Sequence, residues 1–482
     1  MEQTDLTQRF LESAIFMYGT TLLVTYAMLG FLSFLAIRAY TRKNGFVAYE
    51  NMLGSSLTPG ISVIAPAFNE GLSIIMNVRS LLTLNYPRFE IVLVNDGSTD
   101  NSLALLIEEF KLVQVDYAYT IKIRCQRIRG VYKSTSPAYS RLMVIDKVNG
   151  KSKADASNAG INVANFDYFV CTDVDCILDK DTLLKLVKPV IEEPNKRVIA
   201  AGATLRAANS CDIEEGVVTR MRPPRSLLPR FQEVEYIRAF ILGKMGWSFL
   251  NCVPNVSGGL GLFDKEVAVK AGGYDAQSFG EDMELMTRMC RYAYDNHIDY
   301  AIRYIPETLC WTEVPSTVKI FMRQRTRWAR GLAQLMYAHK GMIFNPRYGK
   351  FGWIVMPYNF FFELIAPIVE VSGIIYYIVQ ICRGTINGNY AIVLLCFVYL
   401  YSVMITTIAI LWDQLAFRHY RTTKEVLALC LTPFLEFLLY HPINVLFSIR
   451  GYYYFLTGKK HSWGNMQRRG FGNKPVTKNV AV

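Results

Sequence analysis

The chain has 482 residues, of which 51% are hydrophobic, 13% aromatic and 19% charged. It is too apolar for an ordinary soluble enzyme and too charged for a pure membrane bundle. Fifty-two Lys plus Arg against 40 Asp plus Glu leave a net charge of +12, which points to anionic partners such as phosphates, nucleotides or lipid headgroups; the apolar fraction excludes intrinsic disorder. Ten cysteines with no CxxC pair exclude a zinc module and a disulfide framework, and read as reduced thiols in a cytosol-facing protein. Five scattered histidines leave little for a His-based metal site or triad.

Ser13 to Ile37 is 25 residues without a charge, long enough at about 1.5 Å per residue to cross a hydrocarbon core of about 30 Å. Glu2, Asp5 and Glu12 precede it, opposed only by Arg9, so it lacks the basic leader of a signal peptide and reads as an uncleaved anchor over residues 13–37. Arg38, Arg42 and Lys43 follow, and the positive-inside rule then puts residue 45 onward in the cytoplasm. No long uncharged run interrupts residues 45–345, a block of roughly 300 residues that is large enough for one substantial core.

Within that block, Ile61 to Pro66 and Phe89 to Asn95 are short β-branched runs separated by a helical pattern over Leu72 to Leu84. A third run, Tyr168 to Thr172, follows another helical stretch near Asp155. Strand, helix, strand repeated in this way predicts an α/β domain whose mostly parallel sheet carries ligands at the C-terminal ends of its strands. Each of these three strands ends in carboxylates: Asn69-Glu70, then Asp96-Gly97-Ser98-Thr99, then Asp173-Val174-Asp175.

Asp173 and Asp175 are two residues apart. In extended chain their side chains point the same way and suit one hard divalent cation shared with a diphosphate. Lys153, in Lys151-Ser152-Lys153-Ala154-Asp155, opens the preceding helix, where a lysine and the backbone N–H groups can hold a phosphate. Gly280-Glu281-Asp282 opens a helical run over Met283 to Cys290, so Asp282 is either a helix-capping residue or a general base. Farther on, Gln324, Arg327 and Trp328 in Arg323-Gln324-Arg325-Thr326-Arg327-Trp328 share one helical face bearing an amide, a guanidinium and an indole. That face can neutralise a leaving diphosphate and offer a flat surface to a sugar ring.

Past Lys350 three apolar stretches follow: residues 351–382, 384–412 and 426–449. Arg418, Arg421 and Lys424 mark the last loop as cytoplasmic, and the tail, residues 450–482, is basic. A cytoplasmic block and a cytoplasmic tail require an even number of crossings between them, so one of the three stretches is interfacial, re-entrant or double. Phe351 to Glu370 and Val426 to Ile449 are the two candidates.

In order, Asp96, Asp173-Val174-Asp175, Gly280-Glu281-Asp282 and Gln324-Arg325-Thr326-Arg327-Trp328, bracketed by membrane segments, resemble the D, DxD, [TG]ED, Q[QR]xRW signature of membrane-bound family 2 glycosyltransferases. That family includes cellulose, hyaluronan, chitin and poly-N-acetylglucosamine synthases. The resemblance spans roughly residues 60 to 335 and implies a cytoplasmic GT-A domain at residues 45–345, acting on a nucleotide sugar, most often UDP-linked, with a divalent cation (Mg²⁺ or Mn²⁺). It further implies that Asp96 contacts the uracil end, that Asp173 and Asp175 hold diphosphate and metal, and that Asp282 is the base. Gln324, Arg325, Arg327 and Trp328 line the acceptor and diphosphate site, while Glu70 and Lys153 match weaker family positions.

The chain departs from the pattern in having one N-terminal anchor where several relatives have two or more, and in lacking an FxVT-type gating loop. Ser462-Trp463-Gly464, followed by Arg468-Arg469, resembles the WGT-type loop of chitin and hyaluronan synthases, with Asn465 in place of Thr.

The expected protein is thus a multi-pass cell-membrane enzyme, its catalytic domain cytoplasmic, that extends a polysaccharide processively, with export or accessory subunits as compatible partners. Transfer of one sugar to a membrane lipid is the alternative. A transporter or scaffold using Glu363, Glu370 and Glu436 is the rival from another class. No basic stripe interleaved with aromatics requires nucleic acid.

Overall fold

A computed structural model describes residues 2–44, 49–214 and 216–459. The Ser462-Trp463-Gly464 motif and the basic tail beyond Lys459 lie outside the described residues.

In chain order the strands are β1 (Ile61–Ala67), β2 (Phe89–Asn95), β3 (Leu112–Val115), β4 (Ile128–Ser134), β5 (Leu142–Lys147), β6 (Tyr168–Thr172), β7 (Ile177–Leu178), β8 (Arg197–Ala207), β9 (Asp212–Glu214), β10 (Val217–Arg220), β11 (Leu260–Asp264) and β12 (Tyr300–Thr312). Ten of them form one sheet in the order β3-β4-β5-β2-β1-β6-β11-β8-β12-β7, and β9 pairs with β10 apart from it. The stretch β5-β2-β1-β6 is parallel. Ile61, Val63, Ile64 and Ala65 of β1 and Ile91 to Val94 of β2 are all buried, as expected of strands covered on both faces by helices. β1 lies beside β2 in one direction and β6 in the other, so a crevice opens at the C-terminal ends of these strands, where α/β sheets take their ligands.

Two local features bring the site residues to that crevice. The helix Lys153–Val163 is made largely of small residues, Ala154, Ala156, Ser157, Ala159 and Gly160, all buried, so its backbone packs close to β1 and β2. β11 runs antiparallel to β6, with Leu260 opposite Thr172. The residues entering β11, Ser257-Gly258-Gly259, therefore lie beside the loop that leaves β6, and Thr172 Oγ1 donates to the Gly259 carbonyl at 2.9 Å.

The predicted strands lie within a residue of their observed bounds, and the predicted helix over 72–84 shortens to Ile74–Leu82. The sheet is mixed, because β4, β7 and β11 are inserted antiparallel.

Among the described residues four helices are long and apolar enough to cross a membrane: Glu12–Asn44, Phe351–Arg383, Gly388–Phe417 and Thr423–Leu456. The third continues past the uncharged run to Phe417 and includes Asp413, which is buried and paired with Arg206 of β8. The fourth touches the α/β block near its start, its middle and its end. Near its start Glu425 pairs with Arg220 at 3.1 Å, and midway Glu436 pairs with Arg238 at 2.8 Å. A Cβ on Gly451 would stand 2.6 Å from the Thr326 carbonyl oxygen, and just past its end the Lys459 carbonyl accepts from Arg330 Nη1 at 2.9 Å.

Candidate active site

The loops after β1 and β2 are stapled together. Asn69, at φ 56°, accepts from the Thr99 N–H at 2.8 Å and donates its own N–H to Ser98 Oγ at 3.0 Å. The Glu70 N–H donates to Ser102 Oγ at 3.1 Å, so Glu70 stands half-buried beside the Asp96 loop. Asp96 itself is buried; it accepts from the Gly150 N–H at 3.0 Å and from the Lys147 ammonium. Lys147, the last residue of β5, is fully buried and also faces Asp155 at 2.6 Å. One lysine between two carboxylates joins the end of β2 to the Lys153–Val163 helix and neutralises part of their charge.

Lys153 ties the loop after β6 to the loop that enters β11. Its ammonium pairs with Asp173 and donates to the Gly258 carbonyl at 2.6 Å. Burial alone would lower its pKa, but Asp173, Cys171 and Glu281 together hold Lys153 above its ordinary value. Asp173, Asp175 and Cys176 present ligand atoms within 4.8 Å of one another.

Across the crevice, Asp282 lies in the first turn of the helix Glu281–Asp295. A Cβ placed on Gly258 would stand 3.5 Å from Asp282 Oδ2, so Gly258 meets Asp282 with its Cα and Lys153 with its carbonyl. Gly280, at the N-cap, makes no side-chain cap, and the acidic first turn suits the positive end of the helix. Glu281 differs from Asp282 in being buried. Burial pushes its carboxyl above the usual range, with Arg327 opposing and Asp282 adding to the rise.

The helix Val318–Ala338 closes this wall. Arg327 Nη1 donates to the Phe279 carbonyl at 3.1 Å and stands 3.6 Å from Glu281, while Gln334 accepts from the Phe279 N–H at 3.0 Å. Among the described residues Gln324 Oε1 is buried with no hydrogen-bond partner, an acceptor available to a ligand. Trp328 is 37% exposed.

The structure therefore groups Glu70 with Asp96, Lys153 with Asp173 and Asp175, and Arg327 with the Glu281-Asp282 turn. Arg325 departs from its expected place. It is buried, bonded in bidentate fashion to Glu235 at 2.6 and 2.7 Å, and stacked 4.5 Å from the Trp328 ring. Enclosed by protein on these sides, it supports Trp328 where substrate contact had been expected.

Sequence reasoning passed over Lys147, Gly258, Lys244 and Gly331. Lys244 donates to the Val256 carbonyl at 2.8 Å, and burial pushes its pKa down to about 7 against the pull of Asp282. Its only sequence signal is a lysine in an apolar stretch. Gly331 sets the approach of the two helices, because a Cβ there would fall 2.6 Å from Gly280 N and 2.8 Å from the Phe279 carbonyl carbon. Backbone cannot yield as a side chain does, so Gly331→Ala must push the Val318–Ala338 helix outward, carrying Arg327 and Trp328 from Asp282. We expect a folded protein with transfer reduced on the order of 100-fold, the typical cost of misplacement by about 1 Å. The turnover number of purified variant with matching circular dichroism checks this.

The family described as Glycosyl transferase family group 2 matches residues 168–418, just over half of the chain, and Glycosyl transferase family 2 matches residues 62–209; the chain belongs to the family 2 glycosyltransferases. It is 28% identical over 274 residues to a poly-beta-1,6-N-acetyl-D-glucosamine synthase of Staphylococcus epidermidis, covering 56% of this chain and 54% of that one. It is 26% identical over 273 residues to the enzyme of the same description from Staphylococcus aureus strain COL, with the same coverage. The chain spans about half the length of the curated relatives it matches. Among solved structures, a mannosyltransferase from Pyrobaculum calidifontis in complex with GDP-mannose and Mn²⁺ aligns with a TM-score of 0.45 at 16% identity, covering 91% of this chain and all of that one. Glucosyl-3-phosphoglycerate synthase from Mycobacterium tuberculosis, with Mn²⁺ and UDP-glucose, aligns with a TM-score of 0.36 at 14% identity, over 60% of this chain and 84% of that one.

Proposed function

We propose that the protein is a membrane-embedded, inverting glycosyltransferase that moves a sugar from a UDP-linked donor to a growing polysaccharide. The observation that carries this reading is the Lys153 bridge: one ammonium joins Asp173 to the Gly258 carbonyl, and Gly258 abuts Asp282. Donor carboxylates and a base carboxylate thus face one space. In this reading Glu70 and Asp96 hold the nucleoside, and Lys153 and Arg327 take diphosphate charge. Asp282 removes the acceptor hydroxyl proton as that oxygen attacks the anomeric carbon from the side opposite the leaving UDP. The indole of Trp328 stacks on the acceptor ring, and Gln324 Oε1 accepts from one of its hydroxyls.

Asp173 and Asp175 fit a divalent cation. They are paired hard oxygen donors beside Cys176, whose thiol is soft and hydrogen-bonded toward Cys310, so Mg²⁺ or Mn²⁺ is favoured over softer metals. When bound there the cation supplies positive charge to the departing diphosphate.

The fourth apolar helix supports a topology. Its first residues and the residues just past it both bond to the catalytic block, so we read Thr423–Leu456 as lying along the cytoplasmic membrane surface. Residues 13–37 then cross inward, Phe351–Arg383 outward and Gly388–Phe417 back. This arrangement leaves catalytic domain and tail on the cytoplasmic side of the cell membrane and satisfies the even count.

UDP-N-acetylglucosamine is the first donor to test, because the curated relatives carry poly-N-acetylglucosamine names. Purified protein with labelled UDP-sugars and Mg²⁺ or Mn²⁺ is expected to yield polymer ladders on a gel, abolished by EDTA and restored by added metal. A single lipid-sized product overturns the polymer reading in favour of transfer to a lipid, and no incorporation from any UDP-sugar overturns both.

A further inference from the structure

Arg325 is an unusual group to find beneath a sugar-facing indole. It is buried, its two terminal nitrogens grip both oxygens of Glu235, and Nη2 also donates to Tyr440 Oη at 2.9 Å. Tyr440 in turn donates to Glu235. The three side chains close a ring of charge-assisted hydrogen bonds, leaving Arg325 Nε the one guanidinium nitrogen without a partner among the described residues. Arg325 and Tyr440 also draw the Glu235 carboxyl below its ordinary value, against the burial that would raise it.

Each member comes from a different element. Glu235 belongs to the helix Leu227–Ile237, Arg325 to Val318–Ala338, and Tyr440 to the Thr423–Leu456 helix. The guanidinium lies between aromatic faces, with the Trp328 ring at 4.5 Å and the Phe321 ring at 4.9 Å. Phe321 packs on Tyr440 with ring centroids 5.1 Å apart. A planar cation on one face of an indole fixes the ring's tilt and leaves the rest of the ring for a ligand. A second tie runs beside the first, where Arg238 bonds Glu436 at 2.8 and 3.1 Å and Thr406 at 2.7 Å. Seating of the fourth apolar helix and the attitude of Trp328 therefore share one set of bonds.

We propose that Glu235, Arg325 and Tyr440 form a latch that positions the Trp328 indole for the acceptor saccharide and makes acceptor retention depend on how the fourth apolar helix is seated. The proposal rests on the reading of Trp328 as an acceptor platform. Arg325 is a positioning residue that acts through Trp328, and no bond to substrate is asked of it.

Two readouts on the full chain in detergent test the latch. Trp328 emission, taken as the difference between wild type and Trp328→Phe, reports the indole without any need for turnover. Tyr440→Phe keeps the ring and removes the hydroxyl; Arg325→Lys keeps the charge and removes the planar fork. Both are expected to raise acrylamide quenching of Trp328. Both are also expected to raise the KM for a β-1,6-linked N-acetylglucosamine oligosaccharide about three- to tenfold, the worth of one hydrogen bond, to shorten the polymer, and to leave the KM for UDP-N-acetylglucosamine in place. In a Trp328→Ala background neither substitution should add to the acceptor effect. The latch is overturned if Trp328 quenching is unchanged in both variants, or if donor and acceptor KM rise together, as general loosening would make them. If quenching rises as expected but the oligosaccharide is neither bound nor extended even by wild type, the acceptor reading of Trp328 falls and the proposal with it.

Discussion

Asp282→Asn is expected to keep the fold and the binding of nucleotide sugar while losing between about 10² and 10⁴ of the transfer rate, the range a positioned general base supplies. The change is nearly isosteric, so the Glu281–Asp295 helix and the contact with Gly258 have no reason to move. What is lost is an oxygen able to take a proton. Glu281, its neighbour, is the competing assignment and is weaker on physical grounds. It is buried, its carboxyl is raised by that burial, and Arg327 stands against it at 3.6 Å, which describes a group that shapes the wall. Glu281→Gln should therefore cost less than Asp282→Asn. Labelled sugar incorporation by membranes carrying each variant decides between them, and near-normal product from Asp282→Asn overturns the assignment of the base.

The parts of this molecule legible in its sequence are those whose signal is local. β1, β2 and β6 are short continuous apolar runs because both faces of a parallel strand are covered, and Glu70, Asp96, Asp173 and Asp175 stand out because they follow such runs directly. β4, half-exposed between β3 and β5, carries Arg129 and Lys133, and β12 carries Arg303, Pro306 and Glu307; neither presents a clean period. The bonds that organise the site escaped because their two ends are distant in sequence. Lys147 reaches Asp96 across 51 positions, Lys153 reaches Gly258 across 105, and Arg325 reaches Glu235 across 90. The same cause explains why Arg325 read as a substrate ligand: the five-residue motif placed it beside Gln324 and Arg327, and only the packing of Leu227–Ile237 reveals the carboxylate that claims it. The parity of the membrane crossings was likewise open, since Phe351 to Glu370 and Val426 to Ile449 are both apolar and broken by prolines, and only contacts at both ends of Thr423–Leu456 favour the second as interfacial.

Replacing Arg206 by methionine is expected to cost about 3–5 kcal/mol of stability, the penalty for stranding buried charge. Arg206 lies near the end of β8 with no exposed surface. It bonds Glu233 Oε1 at 3.1 Å and pairs with Asp413, near the end of the Gly388–Phe417 helix. Glu233 also accepts from the Ala207 N–H at 2.8 Å and from Tyr420 Oη at 2.7 Å. One guanidinium thus joins the catalytic sheet to an apolar helix and to the loop after it, and explains a carboxylate directly after 29 uncharged residues. Arg206→Met leaves two carboxylates in a dry interior, where each must take up a proton or bring in water. The triple variant Arg206→Met, Glu233→Gln, Asp413→Asn removes the charges together and should recover most of the loss, because a buried ion pair contributes little net stability over neutral groups of similar shape. Melting of detergent-solubilised protein, followed by light scattering, separates the cases. A single variant that melts with wild type, or a triple variant no more stable than the single one, would show that the coupling between sheet and membrane helix resides in packing, with the charges incidental to it.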